Sequence, residues 1–318
     1  MHQIYFCSEK PIACFRVQGA DAASFLQGQF SNDLRGVPGS AVYGLWLDHK
    51  GKVTADAYVL RDSADGFVVV SFGGIPGELL ARLERFVIAD EVEFVDLTAT
   101  TALVTVAGNE AAGTMIAAGL AAPLPGTWTE CGGWRVFRGR AAGRTPCWHA
   151  VRLEDTGEVA PCAELAHRMA ALGITPSSSE QLVPLRLADG IAAIPHDLGP
   201  TDLPQEGGLE HEAISFTKGC FIGQEVMARL KNLGRVRRRL FVVHSAPGSA
   251  TPTPPHRGTT LSIDARRVGE LRSVAPVDSG GWVGLAMVTE HEVKDAEACV
   301  ADDGVRWILG TASEGRAW

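Results

Sequence analysis

The sequence predicts an α+β protein that ends in a small β-barrel. Up to about residue 235, short stretches of alternating apolar residues exchange with segments of helical period. Beyond about residue 236 the strands are short and punctuated by Gly and Pro, as in a compact barrel. The 318 residues are 46% hydrophobic and 21% charged, an ordinary globular balance in a chain long enough for two or three domains.

Residues 12–17 and 42–47 read as strands around a helix over 21–34, for which Asp21 is the predicted cap ahead of Ala22 and Phe25-Leu26. Lys52–Arg61 and Gly66–Ser71 alternate as a hairpin pair turning at Asp62 to Asp65. Pro76–Phe86 carries the helical stripe Leu79, Leu80, Leu83, Phe86. Leu103–Val106 is a strand running into a helix over Asn109–Leu120. Trp134–Phe137 and Trp148–Arg152 form a strand pair before a helix at 161–172, and two layers of this kind make α+β. From Gly223, Val226, Met227 and Leu230 recur at helical spacing, and Gly234 supplies a stop. The run from Pro247 to Pro255, with Pro252 and Pro254, is a rigid surface connection.

Charge narrows the function classes. A net charge of −8 argues against strong general nucleic-acid binding, which rests on neutralising phosphates. One basic cluster interrupts the acidic balance: Arg229, Lys231, Arg235, Arg237, Arg238 and Arg239. It reads either as a solvated face protecting a sheet edge or as an attractor for an acidic ligand tail or partner. The seven cysteines, at 7, 14, 131, 147, 162, 220 and 299, are odd in number and scattered, without a C-x-x-C pair. That pattern suggests reduced thiols in the cytoplasm and no metal site. The residues Met1 to Lys10 lack the order of a secretory signal, and the apolar stretch Ala111 to Leu124 is too short for a membrane span. A cytoplasmic monomer without membrane contact is expected.

The most informative segment is Lys218-Gly219-Cys220-Phe221-Ile222-Gly223-Gln224-Glu225. Two glycines bracket a thiol, freeing the backbone for positive φ or close approach. A cation and a helix N-terminus are the neighbours that make a thiol reactive. One helix end is worth only about 0.3–1 kcal/mol, so the loop suits a redox-sensitive or partner-contacting thiol better than a dedicated nucleophile. The bland alternative is that Cys220 is a small apolar residue filling a tight loop.

This segment resembles the signature of the YgfZ-type folate-binding proteins, a branch related to the T-protein (aminomethyltransferase) of the glycine cleavage system. Co-linear stretches support the resemblance: Phe25 to Asp33, Leu47 to Val53, Leu203 to Leu209 and Arg238 to Leu240. It implies a ring of three subdomains around a folate pocket. Residues 1–235 would be the folate-binding region, with one subdomain formed by about 1–100 with 180–235 and another by about 101–179, and 236–318 the barrel. It also implies tetrahydrofolate, or a one-carbon derivative, as cofactor. The implied partners are iron–sulfur enzymes, tRNA-modifying ones included, or their assembly proteins. Lys218 would tune the thiol, and Gln224 with Glu225 would cap the helix or bind the partner.

By the same resemblance Asp56, in Gly51-Lys52-Val53-Thr54-Ala55-Asp56, matches the catalytic, folate-contacting aspartate of the transferase; from the residues alone it is equally a solvated strand carboxylate. Arg186, Asp197 and Arg229 are further folate-binding candidates. His196, beside Asp197, reads as a surface turn residue. Two departures weaken a transferase: Ala188 stands where a glutamate is expected, with Asp189 predicted to point away on alternating geometry, and no acid matches the pterin-gripping one near Arg138 to Cys147. A folate-binding accessory protein is therefore the leading expectation, with a folate-dependent aminomethyl or other one-carbon transferase as the alternative.

Overall fold

A computed structural model describes residues 3–153, 161–234, 236–248, 255–278, 280–293 and 296–312. The chain runs β1 (Tyr5–Glu9), β2 (Ala13–Gln18), α1 (Ala22–Gln29), β3 (Ala41–Leu47), β4 (Val53–Arg61), β5 (Gly66–Gly73), α2 (Glu78–Glu84) and β6 (Glu93–Asp96). There follow β7 (Ala102–Ala107), α3 (Ala111–Ala117), β8 (Trp128–Cys131), β9 (Trp134–Arg138), β10 (Cys147–Arg152), α4 (Pro161–Ala171), α5 (Val183–Ala188) and α6 (Gln224–Leu233). The last strands are β11 (Arg238–Ser245), β12 (Thr260–Ile263), β13 (Arg266–Pro276), β14 (Trp282–Thr289), β15 (Ala298–Ala301) and β16 (Arg306–Ala312).

Two five-stranded antiparallel sheets, ordered β3-β4-β5-β2-β6 and β1-β7-β10-β9-β8, precede a closed barrel ordered β11-β14-β13-β12-β15-β16. The sequence of β4 explains how the first two meet. Its two-residue period sends Ala55, Ala57 and Val59 into a core with Phe25 and Leu26 of α1. The other face sends Tyr58 and Leu60 against Leu103, Phe137 and Val151 of the second sheet. Asp56 shares that second face, so a carboxylate is carried into the space between the sheets.

The structure departs from the sequence reading at several elements. The helix predicted over 21–34 stops at Gln29, because Phe30 turns extended and Ser31 N–H donates to the Leu45 carbonyl. Asp21 occupies the N-cap position without capping; its carboxylate accepts from Glu91 N–H at 2.8 Å. Leu185 to Gly190 is not alternating strand but the helix α5 and its end, with Pro184 in the first turn. Gly234 does stop α6, as expected, and does so in extended backbone. Arg235, Pro252 and Pro254 lie outside the described residues.

Among the described residues all seven cysteines are free; Cys7, Cys14, Cys147 and Cys299 are buried and Cys220 is exposed. No group of three His, Cys, Asp or Glu side chains is placed to hold a metal ion among the described residues. No described helix is long and apolar enough to cross a membrane.

Candidate functional site

Between the two sheets and α5 lies a cavity of about 200 Å³. Asp56 and Tyr58 reach it from β4, Phe72 from β5, His149 from β10 and Glu9 from β1. A second cavity, about 320 Å³, shares Tyr43, Tyr58 and Arg140 with the first. Whole-ligand pockets run to roughly 300–1,000 Å³, so the first cavity by itself is of ring size and the second is at the lower end of that range.

Asp56 is 7% exposed and sits at the end of a polar chain. Tyr43 Oη donates to Asp56 Oδ2 at 2.9 Å, Arg140 Nη1 donates to Tyr43 Oη at 2.6 Å, and Arg140 Nη2 is paired with Glu212. The Arg140 guanidinium also lies over the Tyr43 ring, 4.4 Å from its centre. Burial pushes the Asp56 carboxyl up to about 6, with the Arg140 charge and the Tyr43 hydroxyl pulling it back. Burial works most strongly against the charge of Arg140, but Glu212, Tyr43, Tyr58 and Asp56 together more than offset it and the guanidinium stays protonated. Asp56 Oδ1 leans on the Gly73 backbone without a well-formed hydrogen bond, and Arg140 Nε has no hydrogen-bond partner among the described residues. Two polar atoms of opposite character without well-formed hydrogen bonds, in a cavity walled by both aromatic and polar side chains, are what a hydrogen-bonding heteroaromatic ligand would complete.

The cysteine loop is a separate feature, and its seat is built by the stretches that resemble the family signature. Ile222 N–H donates to the Gly28 carbonyl, and Ser215 N–H to that of Ser31. Lys218, 6% exposed, donates through Nζ to the carbonyls of Phe30 at 2.6 Å and Asn32 at 2.8 Å, 5.1 Å from the centre of the Phe221 ring. Burial holds its pKa down at about 8, against the pull of Asp33. Its charge is spent on the seat of the loop; among the described residues no hydrogen bond joins it to Cys220. Gly223 adopts φ 84°, and a Cβ there would meet the Asp48 carbonyl at 2.8 Å and Gly51 Cα at 3.0 Å, so the hairpin at 48–52 packs directly on the loop. Gln205 Nε2 reaches Met227 Sδ from the segment at 203–209. Cys220 is left exposed on this support.

With this geometry in place, the likeness to known proteins is informative. The GCVT N-terminal domain family matches residues 8–121. The iron-sulfur cluster assembly factor IBA57, mitochondrial, of Homo sapiens is 27% identical, covering 94% of this chain and 84% of its own. The tRNA-modifying protein YgfZ of Edwardsiella ictaluri is 28% identical over 90% of this chain and 85% of its own. The chain is a relative of YgfZ and IBA57. The glycine cleavage system aminomethyltransferase T from Bartonella henselae superposes with a TM-score of 0.81 at 18% identity, covering 98% of this chain and 86% of that one. The T-protein type of α+β fold with a C-terminal barrel is therefore the one the sequence predicted, and at that identity the likeness is one of fold.

The candidates read from the sequence of this YgfZ relative divide sharply. Asp56 faces the cavity. Arg186 is in its wall, but Nη1 is committed to the Ile191 carbonyl and, at 2.6 Å, to Asp197 Oδ2. Asp197, fully buried, does not line the cavity; it also accepts from Ala193 N–H at 2.8 Å and from Ser273 Oγ, tying α5 to the barrel strand β13. In this structure it is a structural tie and not part of the cavity lining. Arg229 is exposed and paired with Glu225 one turn away, and it is not among the residues that line the cavity. No side chain caps the start of α6, so the capping expected of Gln224 and Glu225 is absent. Ala188 is exposed, and Asp189 holds the Arg144 backbone and side chain. Sequence reasoning missed Tyr43, Arg140, Glu212, His149 and Glu9. Tyr43 stands two residues before Leu45, the cross-strand partner of Asp56, and that register was the one usable signal.

Proposed function

We propose that this protein is a tetrahydrofolate-binding accessory factor that supports maturation or repair of iron–sulfur enzymes, tRNA-modifying ones included. The observation that carries the reading is the pairing of two features in one fold: a buried Asp56–Tyr43–Arg140–Glu212 chain at a ring-sized cavity, and an exposed Cys220 on a rigid seat. Its similarity to an iron–sulfur cluster assembly factor and to a tRNA-modifying protein supports the same reading. Asp56 and Arg140 would hold the pteridine, whose one-carbon chemistry the folate itself supplies, and Cys220 would serve as a redox or partner contact. The folate region is proposed as residues 1–235 and the barrel as 236–318, working as a monomer in the cytoplasm.

Calorimetric titration with tetrahydrofolate tests the pocket, and absence of binding defeats the reading. Cys220→Ala in cells lacking the native protein should lower iron–sulfur enzyme activities while leaving folate affinity intact; unchanged activities count against the accessory role. Asp56, with its raised carboxyl, keeps a one-carbon transferase as the second reading. Tetrahydrofolate-dependent release of ammonia from an aminomethyl-lipoyl carrier decides it, and no turnover above background removes it.

A further inference from the structure

The cavity holds two polar side chains that the folate reading leaves without a role, Glu9 and His149. They share one face of the second sheet. Cys7 is the cross-strand partner of Thr105, and Thr105 of His149; the two-residue period then sets Glu9 on the same face, one pair further along β1. Both residues line the cavity that Asp56 enters from the other sheet.

His149 is 2% exposed and held on all sides. Its Nδ1 is 2.9 Å from Thr105 Oγ1, which leaves Nε2 as the nitrogen without a hydrogen bond among the described residues. The Phe72, Phe137 and Tyr58 rings surround it at centre distances of 4.4, 5.5 and 6.1 Å. Gly139 leaves the notch the imidazole occupies, since a Cβ there would come 2.4 Å from Nε2. Burial holds its pKa at about 3, so the ring is neutral and offers one N–H or one lone pair rather than a charge. Glu9 makes no ion pair among the described residues; burial pushes its carboxyl up, and the Ser179 hydroxyl pulls it back. The two cations in the same wall are already taken, Arg186 by Asp197 and Arg140 by Glu212.

We propose that Glu9 and His149 form the ring-recognition edge of the cavity, taking the amino-pyrimidinone side of a reduced pteridine while Asp56 meets the ring from the opposite sheet. The proposal rests on the folate reading. A carboxylate accepts an adjacent N–H and amino group side by side. The neutral imidazole takes a further ring group without adding charge to a dry site, and Phe72 and Tyr58 supply apolar faces. The cavity thereby keeps a ring-gripping acid although Ala188 carries none, with the acid coming from the first strand instead of α5.

The test is calorimetry with tetrahydrofolate and with 6-methyltetrahydropterin, which keeps the ring and lacks the tail. Glu9→Gln and His149→Phe should each weaken both ligands about ten-fold or more, the loss expected when a buried hydrogen bond is removed. Variants that fold and bind both ligands as wild type does overturn the assignment while leaving the folate reading intact. A wild-type protein that binds neither ligand defeats the folate reading and the assignment together. If a variant fails to fold, the wild type carries the test: the ¹⁵N resonance of His149 Nε2 must move as 6-methyltetrahydropterin is added, and a stationary resonance in a protein that binds overturns the assignment.

Discussion

Replacing Asp56 by Asn should make this protein more stable at neutral pH and worse at binding folate. A carboxyl whose folded value lies above its unfolded value holds its proton more tightly when folded. Its stabilising contribution is therefore complete below about pH 4 and is lost as the pH rises through the folded value near 6. The gap between 3.8 and about 6, at about 1.4 kcal/mol per pH unit, is roughly 3 kcal/mol at pH 7 and above. Asn keeps the shape and an acceptor for Tyr43 Oη without the charge, so it should recover much of that amount and abolish the pH dependence between about 4 and 6. Urea unfolding of both proteins from pH 4 to 8 gives the difference curve, in which the carboxylates common to both cancel. A difference flat with pH, or an Asn variant less stable than wild type at pH 8, refutes the claim that desolvation dominates at Asp56. A stability cost concentrated at a cavity-lining carboxylate is the mark of a residue placed for binding, not for folding.

Asp197→Ala leaves Arg186 buried without its carboxylate and removes the bond to Ser273, so chemical denaturation should show a loss of about 3–5 kcal/mol; a loss under about 1 kcal/mol contradicts the tie. Gly223→Ala forces a side chain into φ 84° against Asp48 and Gly51, and should cost about 1–3 kcal/mol in thermal or urea unfolding. Cys220→Ala, at an exposed position, should change stability by no more than about 0.5 kcal/mol, so that any loss of iron–sulfur enzyme activity in cells reports the thiol itself. A larger change in unfolding would mean the sulfur is part of the packing.

What could be read without coordinates followed local rules. The hairpin at 52–71 carries its alternation in β-branched and apolar residues, and both strands form where expected, at Val53–Arg61 and Gly66–Gly73. Helix α6 begins where Gly223 and the Val226, Met227, Leu230 stripe place it. Strand β1 was not found, because five residues at a sheet edge carry too short a period, and Glu9 was lost with it. Leu185 and Leu187 two apart imitate a strand, while Pro184, a first-turn residue, was the signal for a helix. Arg140 lies in an irregular connection and Glu212 in another, so neither has a period to betray it.

The sequence by itself determined the faces: which side of β4 carries Asp56, where glycines bend the backbone around Cys220, and where helices can run. Only the tertiary structure decided which faces meet. Asp56 could have been solvated until the second sheet closed over it, and Arg140 and Glu212, 72 residues apart, became a pair only through that closure. Periodicity is a property of neighbours along the chain, whereas desolvation and charge pairing depend on distances through space. The chemistry of the cavity is set by those distances, and the strands and turns that hold it are set by the period.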